Sequence, residues 1–225
     1  MRALGVVTIG QAPREDIGRS FGPHLDRAGI EIVQRGAVDG LTEDYIRSTL
    51  GPAGDETTYV TKLLSGRSVE LAKQRIVPLL QECINELQSR CDAIVVVCTG
   101  DFPMLTSTVP LYFPDQLLVQ TARDRGVDSS LGLLVPLAKQ ATDIASKWDA
   151  LGIPVYTAAA TPYESSDLAA ATAELAVHRP ELIVLDCMGY TTAHGEAVQQ
   201  ASGCEVIVPQ DFIPEYLAQH LAGSE

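Results

Sequence analysis

Four short, almost wholly apolar runs constrain this chain more than any other feature: Leu4–Ile9, Ala93–Val97, Leu131–Val135 and Leu182–Leu185. Strands that read as continuous apolar runs are those covered by helices on both faces of a parallel sheet. Helical patterns of roughly 10–15 residues lie between them, which predicts a parallel α/β architecture. Two of the runs deliver a cysteine into the turn that follows: Val95-Val96-Val97-Cys98-Thr99-Gly100 and Ile183-Val184-Leu185-Asp186-Cys187-Met188-Gly189. In an open parallel sheet, that turn is where ligands bind. The cysteines stand 89 residues apart, a spacing that suits two similar halves.

Punctuation by glycine, proline and capping residues fills in the rest. Gly29–Gln34 and Val155–Ala158 read as second strands, Thr57–Leu63 as a third strand or extended flap, and Val206–Val208 as the last. Pro13 is expected in the first turn of a helix reaching Ala28, and Thr42–Ser48 as a short helix. Ser68 is expected to cap a long helix over Val69–Ser89, with Pro78 inside it. Further helices are expected at Pro114–Arg125, Leu137–Ala150, Tyr163–His178, Ala193–Ala201 and Phe212–Leu221. In each half, strand, helix, strand and longer helix precede the cysteine strand. Internal duplication fits this order, and so does one continuous sheet.

With 29 acidic against 16 basic residues, the net charge of −13 repels nucleic-acid phosphates and disfavours anionic membranes. A small anionic metabolite, recognised by a local pocket, is the expected partner; homo-oligomer formation is left open. Met1–Ile9 is too short for an export segment and runs into a charged helix, so a cytoplasmic protein is expected. The five cysteines form no CxxC pair, and His24, His178, His194 and His220 lack compact ligand spacing. Reduced thiols and no metal are the expectation. Dinucleotide, phosphate-loop and nucleophile-elbow motifs are missing from the sequence, so no cofactor is expected.

Cys98 could simply be packed, since cysteine is among the most buried residue types. Thr99, Gly100 and Asp101 after it suit a ligand loop better than a core turn, and a helix N-terminus there would favour a thiolate. Cys187 follows Asp186, a carboxylate costly to bury without partners, and precedes Gly189 and Tyr190. Cys83, Cys91 and Cys204 read as structural. Two strand-end thiols can act as an acid and a base on opposite faces of one carbon. Thr8, Gly10 and Gln11 follow the first strand and would line the cleft, or form a strand-to-helix turn in which Thr8 and Gln11 satisfy backbone groups. Arg14 offers a bidentate fork to a carboxylate, or pairs with Glu15 or Asp16. Thr157 and Thr161 would be the second half's matching hydroxyls. Asp101 anchors an amine or caps the next segment, Tyr190 donates a phenol or packs, and His194 contacts substrate, tunes the thiol or sits exposed on its helix.

Thr8-Ile9-Gly10-Gln11-Ala12-Pro13-Arg14, Gly54-Asp55-Glu56-Thr57, and Leu185-Asp186-Cys187-Met188-Gly189-Tyr190 with His194 give the chain a resemblance to the AroM family over essentially its full length. That family resembles a branch of the aspartate/glutamate/hydantoin racemase superfamily. The resemblance implies two Rossmann-like lobes related by a pseudo-twofold axis, at 1–110 plus 209–225 and at 111–208, with an active cleft between them. Cys98-Thr99 matches the superfamily's first cysteine loop without its usual asparagine. Cys187 matches the second, with Met188-Gly189 where threonine-histidine is typical. The expected function is a cofactor-independent racemase, epimerase or isomerase of a small carboxylate, amino acid or cyclic amide, with Cys98 and Cys187 as acid/base pair. The rivals are a single-cysteine decarboxylase or double-bond isomerase, and a non-catalytic metabolite sensor.

Overall fold

In the computed structural model, residues 2–163 and 167–222 are described. The chain divides into two compact units: Met1–Pro114 with Ile213–Glu225, and Asp115–Phe212. The first unit carries β1 (Arg2–Thr8), α1 (Glu15–Arg27), β2 (Ile30–Gly36) and α2 (Glu43–Tyr45), which runs into a π turn over Ile46–Leu50. A hairpin of β3 (Thr58–Lys62) and β4 (Ser68–Ala72) follows, then α3 (Lys73–Leu87), β5 (Ala93–Val96) and β6 (Leu111–Tyr112). The second unit holds α4 (Pro114–Asp124), which starts one residue before the division, and β7 (Leu131–Val135). After β7 come α5 (Ala141–Ser146), β8 (Val155–Ala159), α6 (Leu168–Val177), β9 (Leu182–Leu185), α7 (Thr192–Ser202) and β10 (Glu205–Ile207). Finally α8 (Pro209–Ala222) leads back into the first unit.

Each unit is built on a four-stranded, all-parallel sheet, ordered β2-β1-β5-β6 in the first and β10-β9-β7-β8 in the second. The order is the same in both. The unit's first strand lies between its second and third, and the fourth lies outside the third. The central strands β5 and β9 are buried along their whole length, as their unbroken apolar sequences require. Val7 pairs with Val96, and Leu134 pairs with Leu185, so the two central ladders end in the same register. One continuous sheet is thereby excluded.

Several local expectations give way. Ser68 does not cap a helix: Ser68–Ala72 is strand β4, paired antiparallel with β3, and α3 begins only at Lys73. Val69 and Leu71 are buried while Ser68 and Glu70 are half-buried, which is the period of two of a strand. Pro13 stands before α1 after a cis peptide bond, and the helix starts at Glu15. The helix expected over 137–150 is α5 flanked by 3-10 turns at Ala138–Gln140 and Lys147–Leu151. The helix expected from Tyr163 starts at Leu168, and residues 164–166 of that expectation lie outside the described residues. Two-residue β6 falls just before α4, where no strand was expected.

Candidate active site

In unit 1 the N–H of Val97 donates to the Val7 carbonyl at 2.8 Å, extending the ladder one residue past β5. The N–H of Cys98 then turns back to the Val96 carbonyl at 2.8 Å, and the Gly100 N–H lies 3.4 Å from the Cys98 sulfur. Unit 2 repeats this geometry. Asp186 N–H donates to the Leu134 carbonyl at 2.9 Å, Cys187 N–H to Leu185 at 2.8 Å, and Gly189 N–H lies 3.4 Å from the Cys187 sulfur. Both thiols are buried, at 9 % and 8 % exposure. A backbone N–H aimed at sulfur favours a thiolate over a thiol. No helix begins at Cys98: the backbone after it is irregular to β6, so the Gly100 N–H aimed at the sulfur belongs to a turn and not to a helix N-terminus.

The glycine of each turn is roofed by a tyrosine. A Cβ at Gly100 would stand 2.3–2.6 Å from ring and hydroxyl atoms of Tyr59, on β3. At Gly189 it would stand 2.6–2.7 Å from Tyr163 and Pro162. Only glycine lets an aromatic ring approach the backbone this closely. Tyr59 hydroxyl donates to Asp101 at 3.3 Å, and Lys73 Nζ reaches the same carboxylate oxygen at 2.6 Å. Burial pushes the Asp101 carboxyl up, but those two donors outweigh it and hold it below its ordinary value. The hairpin thus brings Tyr59, and through α3 Lys73, to the Cys98 turn. Neither carries a motif signal in the sequence.

The residues around β1 are tied into the fold. Thr8 is buried and its hydroxyl accepts from Gly10 N–H at 3.2 Å. Gln11 accepts from Leu64 N–H at 3.0 Å and donates to the Leu41 carbonyl at 3.4 Å, stapling the β1 turn to the hairpin loop. Arg14 is buried and its fork engages both carboxylate oxygens of Asp16. Thr99 is buried in the turn itself. Buried Thr61, opposite Gly10, has a hydroxyl with no hydrogen-bond partner among the described residues.

Unit 2 differs in how its candidates are used. Tyr190 is fully buried and its hydroxyl donates to the Ala160 carbonyl; burial pushes its phenol well above the ordinary range. His194 Nδ1 accepts from the Thr191 N–H at 3.0 Å, capping α7, and burial lowers its pKa, so its ring is neutral at neutral pH. Met188 is buried, and its carbonyl accepts from buried Gln210 at 2.7 Å. Thr157 lies within β8 beside Leu133, short of the turn, while Thr161 accepts from Tyr163 N–H at 3.3 Å in the turn after it. Of the remaining thiols, burial first, then Asp39 and Glu86, push Cys83 up to about 11, and burial raises Cys91. Among the described residues, no group of three or more His, Cys, Asp or Glu is placed to hold a metal ion.

Where unit 1 has Val97, unit 2 has Asp186, fully buried. Lys147 Nζ sits 2.7 Å from its Oδ1, and Trp148 Nε1 donates to Oδ2 at 3.0 Å. Nearby Asp115, in the first turn of α4, is also buried; burial, opposed by Lys147, pushes its carboxyl up to about 6.

Two parallel units of one sheet order, each ending its central strand in a buried cysteine, define a class. The fold is shared with solved racemases and decarboxylases that match almost the whole chain at low identity. A liganded double mutant of arylmalonate decarboxylase is 14 % identical with a TM-score of 0.62, covering 100 % of this chain and 94 % of that one. Glutamate racemase from Aquifex pyrophilus is 16 % identical with a TM-score of 0.61, covering 97 % and 83 %. Picrophilus torridus aspartate racemase is 12 % identical with a TM-score of 0.60, covering 99 % and 95 %. No curated protein matches this sequence. The chain belongs to the AroM family, whose model, described as AroM protein, matches residues 4–221.

Proposed function

We propose that the protein is a cofactor-independent racemase, epimerase or isomerase of a small carboxylate, amino acid or cyclic amide, with Cys98 and Cys187 as its acid/base pair. The observation that carries this reading is the repeated turn: same strand, same register, same backbone bonds, and an amide aimed at each sulfur. One cysteine, as thiolate, takes the α-proton, and the C–H electron pair delocalises into the neighbouring carbonyl. The other, as thiol, returns a proton to the opposite face, so the pair ends in exchanged protonation states. Thr8, Thr99, Asp101 and the turn amides supply polar contacts for the substrate, with Lys73 held at the Cys98 turn by its bond to Asp101. Arg14, Tyr190 and His194 support the turns through their internal partners.

A single-thiol reading draws on one observation, the inequivalence of Val97 and Asp186. In a decarboxylation, the C–C bond to the departing carboxylate breaks, its electron pair passes to the α-carbon, carbon dioxide leaves, and Cys187 protonates that carbon. The deciding experiment incubates the protein with a panel of chiral amino acids, hydantoins and malonates in heavy water, following α-hydrogen exchange by NMR and optical rotation by polarimetry. The paired reading expects racemisation to vanish in both Cys98→Ala and Cys187→Ala. Full activity in either variant refutes it, and carbon dioxide release dependent on Cys187 alone establishes the alternative.

A further inference from the structure

Gly100 and Gly189 each follow a buried cysteine by two residues and aim an N–H at its sulfur. Neither has the positive φ that calls for glycine elsewhere in the chain. What each position requires is the absence of a side chain, because a tyrosine fills the space. The phenol oxygens of Tyr59 and Tyr163 both stand 2.6 Å from where a Cβ would be. Tyr59 arrives on the hairpin between β2 and β5, and Tyr163 in the connection between β8 and β9. Those connections are equivalent, since each joins the second strand of its unit's sheet to the third. Their local structures are not: one tyrosine sits in a strand, the other in irregular backbone. Dissimilar pieces of chain thus bring the same ring to the same glycine.

Both rings are held from behind. Tyr59 is buried, pairs with Leu71 across the hairpin, packs on Phe102 with ring centres 5.4 Å apart and donates to Asp101, which Lys73 also binds. Tyr163 is half-buried; its N–H donates to the Thr161 hydroxyl, and Pro162 shares the contact with Gly189. The Tyr190 hydroxyl, bonded to the Ala160 carbonyl, ties that connection to the residue after Gly189. Glycine has the widest backbone freedom of any residue, so an unpinned turn would let its amide swing away from the sulfur.

We propose that Tyr59 and Tyr163 are positioning residues, one for each thiol: by lying on Gly100 and Gly189 they keep those glycines' N–H groups on the Cys98 and Cys187 sulfurs. The inference rests on the reading that both cysteines react through sulfur. An N–H directed at sulfur stabilises the thiolate over the thiol, so loss of one ring makes its own thiol harder to ionise and leaves the other as it was. The charged and titratable groups at the Cys98 turn are Asp101 and Lys73. At the Cys187 turn they are Asp186, Tyr190 and His194. Removing either ring retains all five.

The test alkylates the full chain with iodoacetamide between about pH 5 and about pH 11, follows Cys98 and Cys187 separately by peptide mass spectrometry, and reads the midpoint of each pH profile. A change of access alters the plateau rate, whereas a change in the amide's aim moves the midpoint. Tyr59→Leu should raise the Cys98 midpoint by about one pH unit with Cys187 unmoved, and Tyr163→Leu should do the converse. Tyr59→Phe and Tyr163→Phe, which keep the ring, should retain the wild-type midpoints. Should Tyr59→Leu not fold, Tyr59→Met takes its place, and half-buried Tyr163 carries the same test with less buried volume at stake. Unmoved midpoints in the leucine variants, both midpoints moving together in either one, phenylalanine variants that behave as leucine, or a wild-type thiol that never reacts would overturn the inference. The readout needs no substrate. Shifted midpoints without racemisation in the exchange assay count against the proposed function alone; racemisation that needs both cysteines, with midpoints unmoved, counts against the tyrosines alone.

Discussion

Replacing Lys147 by methionine isolates the energetics of unit 2. Asp186 is fully buried, the Lys147 side chain is 13 % exposed, and the pair is bonded at 2.7 Å with Trp148 completing the carboxylate. Methionine keeps most of the side-chain volume and removes the charge, leaving a buried carboxylate without its cation. Breaking a buried pair in this way costs about 3–5 kcal/mol. Asp186→Asn should cost less, about 1–3 kcal/mol, because the amide oxygen can still accept from the indole and the lysine can reach toward solvent. In the double variant no unpaired charge remains, so its loss should fall short of the summed single losses by about 2 kcal/mol. Urea unfolding followed by tryptophan fluorescence reads this directly, because Trp148 is the chain's single tryptophan and sits at the pair. At about 2 kcal/mol per molar, the Lys147→Met midpoint should drop by about 2 M. A loss under about 1 kcal/mol, or strict additivity in the double variant, would refute the claim that the pair is coupled and desolvated.

Two further outcomes follow from groups already described. Asp115 has its pKa raised from 3.8 to about 6 by burial, so the folded state holds a proton the unfolded chain has released between those values. Stability from this group is present below about pH 4 and lost as pH rises through about 6; relative to wild type, Asp115→Asn should gain nothing near about pH 4 and up to about 3 kcal/mol by about pH 7. A stability difference independent of pH, measured by urea titration, contradicts this. Gly100→Ala drives a methyl into Tyr59 and should cost about 1–3 kcal/mol, as should Gly189→Ala against Tyr163. Tyr59→Leu should relieve the first penalty and leave the second unchanged, which thermal unfolding of the three single variants and of Tyr59→Leu combined with each glycine variant checks.

The sheet and its cysteines were legible because buried parallel strands leave an unmistakable trace: Val95, Val96 and Val97, or Leu182 to Leu185, cannot be an exposed turn or an amphipathic helix. The hairpin was hidden for a local reason. Strand β4 passes into α3 with no breaker between Ala72 and Lys73, so its short alternation of Val69 and Leu71 merges with the helical pattern beyond. The 3-10 turns flanking α5 carry residues that suit any helix. Asp186 was readable as a carboxylate in need of partners, but the partner, Lys147, lies 39 residues away and has no pattern of its own. Asp115 resembled an ordinary acid in a helix first turn, a place where carboxylates are common. Arg14 offered two readings, and the structure pairs its guanidinium with Asp16.

The discontinuity of unit 1 bears on how the molecule comes to be made. Its last segment begins at Ile213, after the whole of unit 2, and is seated by Tyr216 edge-on to Tyr112 at 6.5 Å. Unit 2 is a single uninterrupted stretch whose contacts can all close as it leaves the ribosome, whereas unit 1 must wait with an open flank. The later-encoded unit is therefore the one able to finish first. The segment that completes the earlier one is made only after all of unit 2, which makes α8 the step that closes the Cys98 half.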